Sequence, residues 1–255
     1  MIILVCNDDG IHSEGLHALE AALAKIGEIY TVAPDREQSA VSHSLTLHRP
    51  LRIDEIGPRR FAVNGTPTDC VNLAVKGFLP IRPNLVVSGI NRGANLGDDI
   101  TYSGTVSAAM EGSLLGIPSI AMSLVMRGTP HHFAPAADFA AVLAREVIEQ
   151  GMPSDTLLNV NVPNIPREEI KGFLLTRQGK RRYAETMEVR VDPRGRKYYW
   201  IGGDDLGFDP DEGTDCVAVH DGFISVTPLH VDLTNYRALQ ELHGLQLPWH
   251  SMSTP

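Results

Sequence analysis

Two adjacent carboxylates, Asp8 and Asp9, stand where the apolar run Ile2-Ile-Leu-Val-Cys6 gives way to Asn7-Asp-Asp-Gly10. Charges that close repel each other and cost desolvation energy unless a cation or hydrogen-bond donors compensate them. Oxygen-rich positions of this kind suit a hard divalent ion, magnesium or manganese. The same four residues also fit an Asx-rich turn in which Gly10 supplies positive φ. A second set, Ser88-Gly-Ile-Asn-Arg-Gly-Ala-Asn-Leu-Gly97, offers the Asn91 amide oxygen as a neutral ligand. Ser103-Gly104-Thr105 follows at the start of a helical pattern, where hydroxyls, amides and the positive dipole end together suit a phosphate. Helix capping by Ser103 is the alternative account, and the spacing and lysine of a Walker loop are absent. A third set, Ala33-Pro-Asp-Arg-Glu-Gln-Ser-Ala40, brings Ser39 toward the same crevice. Arg36 would neutralise a phosphate there or pair with Asp35 or Glu37 on the surface. His43 is a candidate for proton transfer or a structural histidine.

Such residues need a scaffold that gathers strand ends. Ile2–Cys6 has the length and β-branched content of a strand buried on both faces. Leu16, Leu19, Leu23 and Ile26 fall on one helical face. Further strands are predicted over 29–33, 85–88, 119–123 and 157–162, the last being the final strand of the main sheet. Segments 45–53 and 61–64 read as extended. Helices are predicted over 71–78, capped by Thr66 or Thr68, and over 103–115 and 136–150. This alternation predicts an α/β fold: a Rossmann-like, mostly parallel sheet flanked by helices. Ligands in open parallel sheets bind beyond the carboxyl ends of the strands, which is where all three polar sets fall.

After Pro163 the pattern turns extended, around 173–175, 194–201 and 223–226. Residues 1–163 are therefore expected to form the catalytic core and 164–255 a β-rich C-terminal extension of the same continuous domain. With little apolar material to close a core of its own, the extension is expected to pack on the parent domain or on another subunit. It contains a basic stretch, Arg177, Lys180, Arg181, Arg182, Arg190, Arg194, Arg196 and Lys197, read as a solvated or intersubunit salt-bridged face with a lesser role in guiding anions. An acidic stretch follows, Asp204, Asp205, Asp209, Asp211, Glu212 and Asp215, which lacks calcium-loop spacing and reads as a mobile solvated loop.

The 255 residues carry a net charge of −9 and 43% hydrophobic residues. That balance argues against nonspecific nucleic-acid binding and against a stable nucleic-acid complex. No apolar run reaches membrane-spanning length, and the first strand lacks a signal peptide's basic flank and cleavage site. Cys6, Cys70 and Cys216 fit no metal-ligand pattern. Buried thiols and a cytoplasmic location are expected.

Ile3-Leu-Val-Cys-Asn-Asp-Asp-Gly-Ile, Val32-Ala-Pro-Asp-Arg-Glu-Gln-Ser-Ala, Gly65-Thr-Pro-Thr-Asp-Cys-Val, Val87-Ser-Gly-Ile-Asn-Arg-Gly-Ala-Asn, Tyr102-Ser-Gly-Thr-Val-Ser-Ala-Ala-Met-Glu-Gly and Gly222-Phe-Ile-Ser-Val-Thr-Pro-Leu together resemble the survival protein E (SurE) family. The resemblance spans nearly the whole chain. It implies a metal-dependent phosphatase acting on nucleoside 5′- and 3′-monophosphates, and in some members on short-chain polyphosphate. It further implies that Asp8, Asp9, Ser39 and Asn91 hold one divalent ion (magnesium or manganese) per subunit, that Asp8 and Asp9 serve catalysis, and that Asn91, Ser103, Gly104 and Thr105 hold the phosphoryl group. Homodimers, or dimers of dimers, with exchanged C-terminal segments are implied as well. A noncatalytic nucleotide sensor is the alternative. A dinucleotide-dependent oxidoreductase fits poorly, because two acids stand where pyrophosphate would approach and G-x-G-x-x-G is missing.

Overall fold

The computed structural model describes residues 1–126, 128–183, 187–201 and 205–245. Its chain order begins β1 (Ile2–Cys6), α1 (Glu14–Leu23), β2 (Glu28–Pro34), β3 (Ile53–Gly57), β4 (Arg60–Val63), α2 (Pro67–Leu73) and β5 (Leu85–Arg92). It continues through α3 (Gly104–Leu114), β6 (Ser119–Val125), α4 (Phe133–Gln150), β7 (Thr156–Pro163) and β8 (Phe173–Leu175). The remainder comprises β9 (Arg181–Tyr183), β10 (Met187–Val191), β11 (Lys197–Ile201), β12 (Asp205–Phe208), α5 (Asp215–His220), β13 (Ile224–His230) and α6 (Tyr236–Glu241).

Nine of these strands form one sheet in the order β3-β4-β2-β1-β5-β6-β7-β13-β8. β1 runs parallel to both β2 and β5. From β1 the chain winds outward to β2 and then returns across β1 to start β5. This reversal is a topological switch point, and it opens a crevice beyond the carboxyl ends of β1 and β5. Helices α1 and α4 cover one face, and α2 and α3 cover the other. On the first face Leu16, Leu19 and Leu23 are fully buried; each contributes roughly 1.5–3 kcal/mol over its exposed state. Cys6 and Cys70 pack on the opposite face beside Val32 and Val71. All three cysteines are buried free thiols.

The expected mostly parallel, helix-flanked sheet is the observed one, with four differences. The main sheet does not end at β7, because β13 pairs antiparallel with it from Ser225↔Asn161 to His230↔Thr156 and β8 adds beyond β13. Segment 45–52 is not a strand; Pro50 lacks the N–H a ladder needs, and Leu47 is 88% exposed. The helix expected through 71–78 starts at Pro67 after the Thr66 cap, but its α form ends at Leu73 and Ala74–Phe78 is wound as a π-helix. Thr66 accepts from the Asp69 amide while the Asp69 side chain accepts from Thr66, a reciprocal cap. The acidic stretch is not simply a solvated loop. Asp215 is wholly buried and accepts from the amides of Gly97, Gly179 and Cys216 at 2.9, 2.8 and 2.8 Å. Asp204 lies outside the described residues. The basic stretch is salt-bridged within the chain, Arg182 to Asp209, Arg190 to Glu188 and Arg196 to Asp192.

Candidate metal and phosphate site

β1 ends at Cys6 and projects Asp8 and Asp9 into the crevice. Asp8 is 5% exposed, and its Oδ1 accepts from the Thr105 hydroxyl of α3. The approach is close: a Cβ on Gly104 would lie 2.8 Å from the Asp8 Cβ and 2.9 Å from its Oδ2. Only glycine lets the start of α3 come this near. Asp8 thus places its own carboxylate at the positive end of the α3 dipole. Burial nevertheless pushes its pKa up to about 6; hydrogen bonds from the Thr105 side chain and main chain oppose the rise, and the Asp9 charge adds to it. Asp9 is also raised, chiefly by burial, although its Oδ2 accepts from the Arg92 amide at 2.9 Å.

The second element is β5, which continues past its predicted end at Ser88 to Arg92. Gly89 makes this possible: its φ is +138°, and a Cβ there would lie 2.3 Å from the Met122 carbonyl oxygen. Asn91 follows, its Nδ2 donating to the Gly93 carbonyl at 3.1 Å, so its Oδ1 is turned the other way. The third element is the loop after β2. Gln38 ties it to β1 by donating its amide to the Asp8 carbonyl at 2.8 Å. Ser39 Oγ donates to Glu37 Oε1 at 2.6 Å, which leaves its oxygen lone pairs to accept.

Asp8, Asp9, Ser39, Asn91 and Ser103 line one cavity of about 620 Å³. Thr105 and Gly104 do not line it; the Thr105 hydroxyl serves Asp8 instead. Ser103 caps α3, accepting from the Val106 amide at 3.1 Å. Arg36 takes its surface partner, Asp35, at 2.9 Å. His43 lies outside the cavity and meets Glu111 Oε2 at 2.9 Å, a contact that holds Glu111 below the usual carboxylate range.

The donor set fits a hard cation. It consists of two carboxylates under desolvation strain plus an amide and a hydroxyl that each donate to a protein acceptor and keep an oxygen to offer. Among the described residues no three His, Cys, Asp or Glu side chains gather as a metal-ligating group, so the neutral oxygens are needed. Glu14, Glu37 and Asp99 also line the cavity, against the single guanidinium of Arg92. An anion entering without a cation would meet net repulsion.

The model of the family described as survival protein SurE matches residues 3–185. The chain belongs to the SurE family. A 5′-nucleotidase SurE of Geotalea daltonii is 59% identical over 242 residues, covering 95% of this chain and 98% of that one. A 5′-nucleotidase SurE of Geobacter sulfurreducens is 59% identical over 247 residues, covering 97% and 94%. The crystal structure of the SurE protein from Aquifex aeolicus superposes with a TM-score of 0.86 at 49% identity, covering 95% of this chain and 98% of that one.

Two supports of the site escaped the reading of the SurE motifs as sequence. The loop after β5 is pinned by buried amides: the Asn95 amide donates to Asn161 Oδ1 at 2.9 Å, Asn95 Nδ2 donates to Ser123 at 2.7 Å, and Asn159 and Asn161 both donate to the Asn95 carbonyl. Asn159 and Asn161 interrupt an otherwise apolar strand at alternate positions, and that was the available signal. The wall from Gly97 to Tyr102 is held from the extension. Asp215 and Gln178 bind Gly97, and Arg181 lies 3.6 Å from Asp99. No local pattern announces a contact across more than eighty residues.

Proposed function

We propose that this chain is a metal-dependent phosphatase that hydrolyses nucleoside 5′-monophosphates, with activity also toward 3′-monophosphates and short-chain polyphosphate. The observation that carries the reading is the meeting of Asp8, Asp9, Ser39 and Asn91 around one cavity at the start of α3. The 5′-nucleotidase names of relatives 59% identical support the substrate class.

In this reading Asp8, Asp9, Asn91 Oδ1 and Ser39 Oγ hold one magnesium or manganese ion per subunit. A bound ion of that class supplies Lewis-acid polarisation of the phosphoryl oxygens. Ser103 at the start of α3 and the Arg92 guanidinium meet the negative charge of the ester. Thr105 and the close approach at Gly104 fix the Asp8 rotamer. The reaction breaks the ester P–O bond, forms a bond from phosphorus to a water oxygen and returns a proton to the leaving alkoxide. Water is the acceptor because both carboxylates are engaged, Asp8 by Thr105 and Asp9 by the Arg92 amide.

The extension, residues 164–255, braces the cavity wall at Gly97 and Asp99 and mediates assembly into dimers or dimers of dimers by segment exchange. The apolar side chains left open on it support this: Leu175 is 74% exposed at the β8 sheet edge and Trp200 59% on β11. Free thiols and an intracellular class of substrate agree with a cytoplasmic location. The test is release of inorganic phosphate from a nucleoside 5′-monophosphate with magnesium or manganese, and its loss on chelation. Binding without turnover would instead identify a nucleotide sensor.

A further inference from the structure

The cavity is much larger than a phosphoryl group, and Asp8, Asp9, Asn91 and Ser103 account for only part of its lining. Tyr102 lines it as well and is 63% exposed. Among the described residues its ring stacks on no other ring, and its hydroxyl makes no hydrogen bond. Its main chain, by contrast, is fixed on both sides: the Tyr102 amide donates to the Asp99 carbonyl at 3.0 Å, and its carbonyl accepts from the Ser42 amide at 3.1 Å. The next residue is Ser103, the cap of α3, so the Tyr102 Cα stands one step, about 3.8 Å, from that of the residue that starts the helix. His131 and Phe133, whose rings meet edge-on at 6.2 Å, line the same cavity. A lone exposed tyrosine is ordinary on a protein surface. An anchored one beside a phosphate-ready helix start, in a cavity with room left over, is a platform for a flat apolar group.

We infer that the Tyr102 ring is the stacking seat for the base of a nucleotide whose phosphoryl group lies at Ser103. The inference rests on the nucleotidase reading for its substrate class. Stacking is sequence-tolerant because every base has a π face, so the seat selects nucleosides over aliphatic esters without choosing among bases. The side chain makes neither of the two hydrogen bonds that fix its backbone, so replacing it leaves those anchors in place.

The test compares Tyr102→Ala, Tyr102→Leu and Tyr102→Phe with the unaltered protein in its metal-loaded form. The substrates are adenosine 5′-monophosphate and glycerol phosphate, an ester without a base. Tyr102→Ala and Tyr102→Leu are expected to raise KM for the nucleotide roughly 5- to 100-fold, the range of base–aromatic stacking on truncation. Neither should move KM for glycerol phosphate beyond about twofold, and Tyr102→Phe should restore nucleotide KM. Equal effects on both esters, or none on the nucleotide, would overturn the assignment. Calorimetric titration with adenosine gives a readout free of turnover. Binding weakened in the Ala variant and kept in the Phe variant supports the seat; equal binding in both, or none to the unaltered protein, refutes it. Failure of phosphate release from every ester would sink the nucleotidase reading while the adenosine titration still decided the seat.

Discussion

The crevice at β1 and the hairpin β10–β11 are satisfied in opposite ways. Around Asp8 the packing is complete, with Ile3, Leu4, Val5 and Cys6 fully buried, while the charge is left uncompensated and the carboxylate is driven toward its protonated form. On the hairpin and its neighbours the charges are paired within the chain, Arg190 with Glu188 and Arg196 with Asp192, while Val189, Val191, Tyr199 and Trp200 remain more than half exposed. One region concentrates negative charge and the other exposes apolar surface. The free energy of the isolated chain is raised at both places, which is where binding can lower it.

The comparison breaks first at Asp8. Asp8→Asn should reduce phosphate release by more than the roughly 10–100-fold that loss of an outer-shell partner costs a metal site. The same change should stabilise the metal-free protein at pH 8 by on the order of 1–3 kcal/mol, read from urea midpoints. The sign follows from the direction of the shift. Folding lifts the Asp8 pKa from 3.8 to about 6, so the unaltered fold carries its full penalty above pH 6 and sheds it as pH falls toward 3.8. The advantage of the variant should shrink over that window. A variant no more stable than the original at pH 8 would show that the carboxylate is not strained.

Gly104→Ala should be nearly as damaging to activity. Its Cβ would sit 2.8 Å from the Asp8 Cβ, with the Pro67 ring 3.2 Å away at Cγ. Overpacking of this kind costs typically ~1–3 kcal/mol, so both Tm and turnover should fall. Normal kinetics in this variant would mean that α3 and Asp8 are not held in register.

At the hairpin, Trp200→Ser with Val189→Ser should shift full-length protein toward smaller assemblies in light scattering. The loss in intrinsic fold stability should stay within about 1 kcal/mol, because neither residue packs in the core of its own chain. Unchanged assembly would leave that surface without a partner of this kind.

The sequence made the parallel sheet legible because buried strands alternate with amphipathic helices, and the periods of Leu16, Leu19 and Leu23 and of Ile2–Cys6 are strong. It also made Asp8, Asp9 and Asn91 legible as one group, since all three follow apolar runs. Three things were hidden, each for want of a local signal. The pairing of β13 with β7 joins residues more than sixty positions apart. The hydrogen bond from the Thr105 hydroxyl to Asp8 joins two motifs far apart in the chain. The burial of Asp215 is invisible among the exposed acids around it, because only the fold supplies its three amide donors.

The smallest effect separates the two uses of the basic stretch. Its arginines are largely neutralised within the chain, Arg177 lying 3.9 Å from Asp211 and Arg182 bonded to Asp209, so the stretch projects little net field toward the cavity. Lys180→Glu alters an exposed charge and should change kcat/KM by less than about threefold at low salt, with the difference gone near 0.15 M, where the Debye length is about 8 Å. Arg181→Glu is a different experiment on the adjacent residue. Arg181 is 14% exposed, lies 3.6 Å from Asp99 and packs its guanidinium over the Tyr183 ring at 5.1 Å. Placing a carboxylate there sets like charges against each other in the wall of the cavity, so its effect should be larger and persist at high salt. Equal, salt-sensitive losses in the two variants would instead mean that the stretch steers substrate by charge alone.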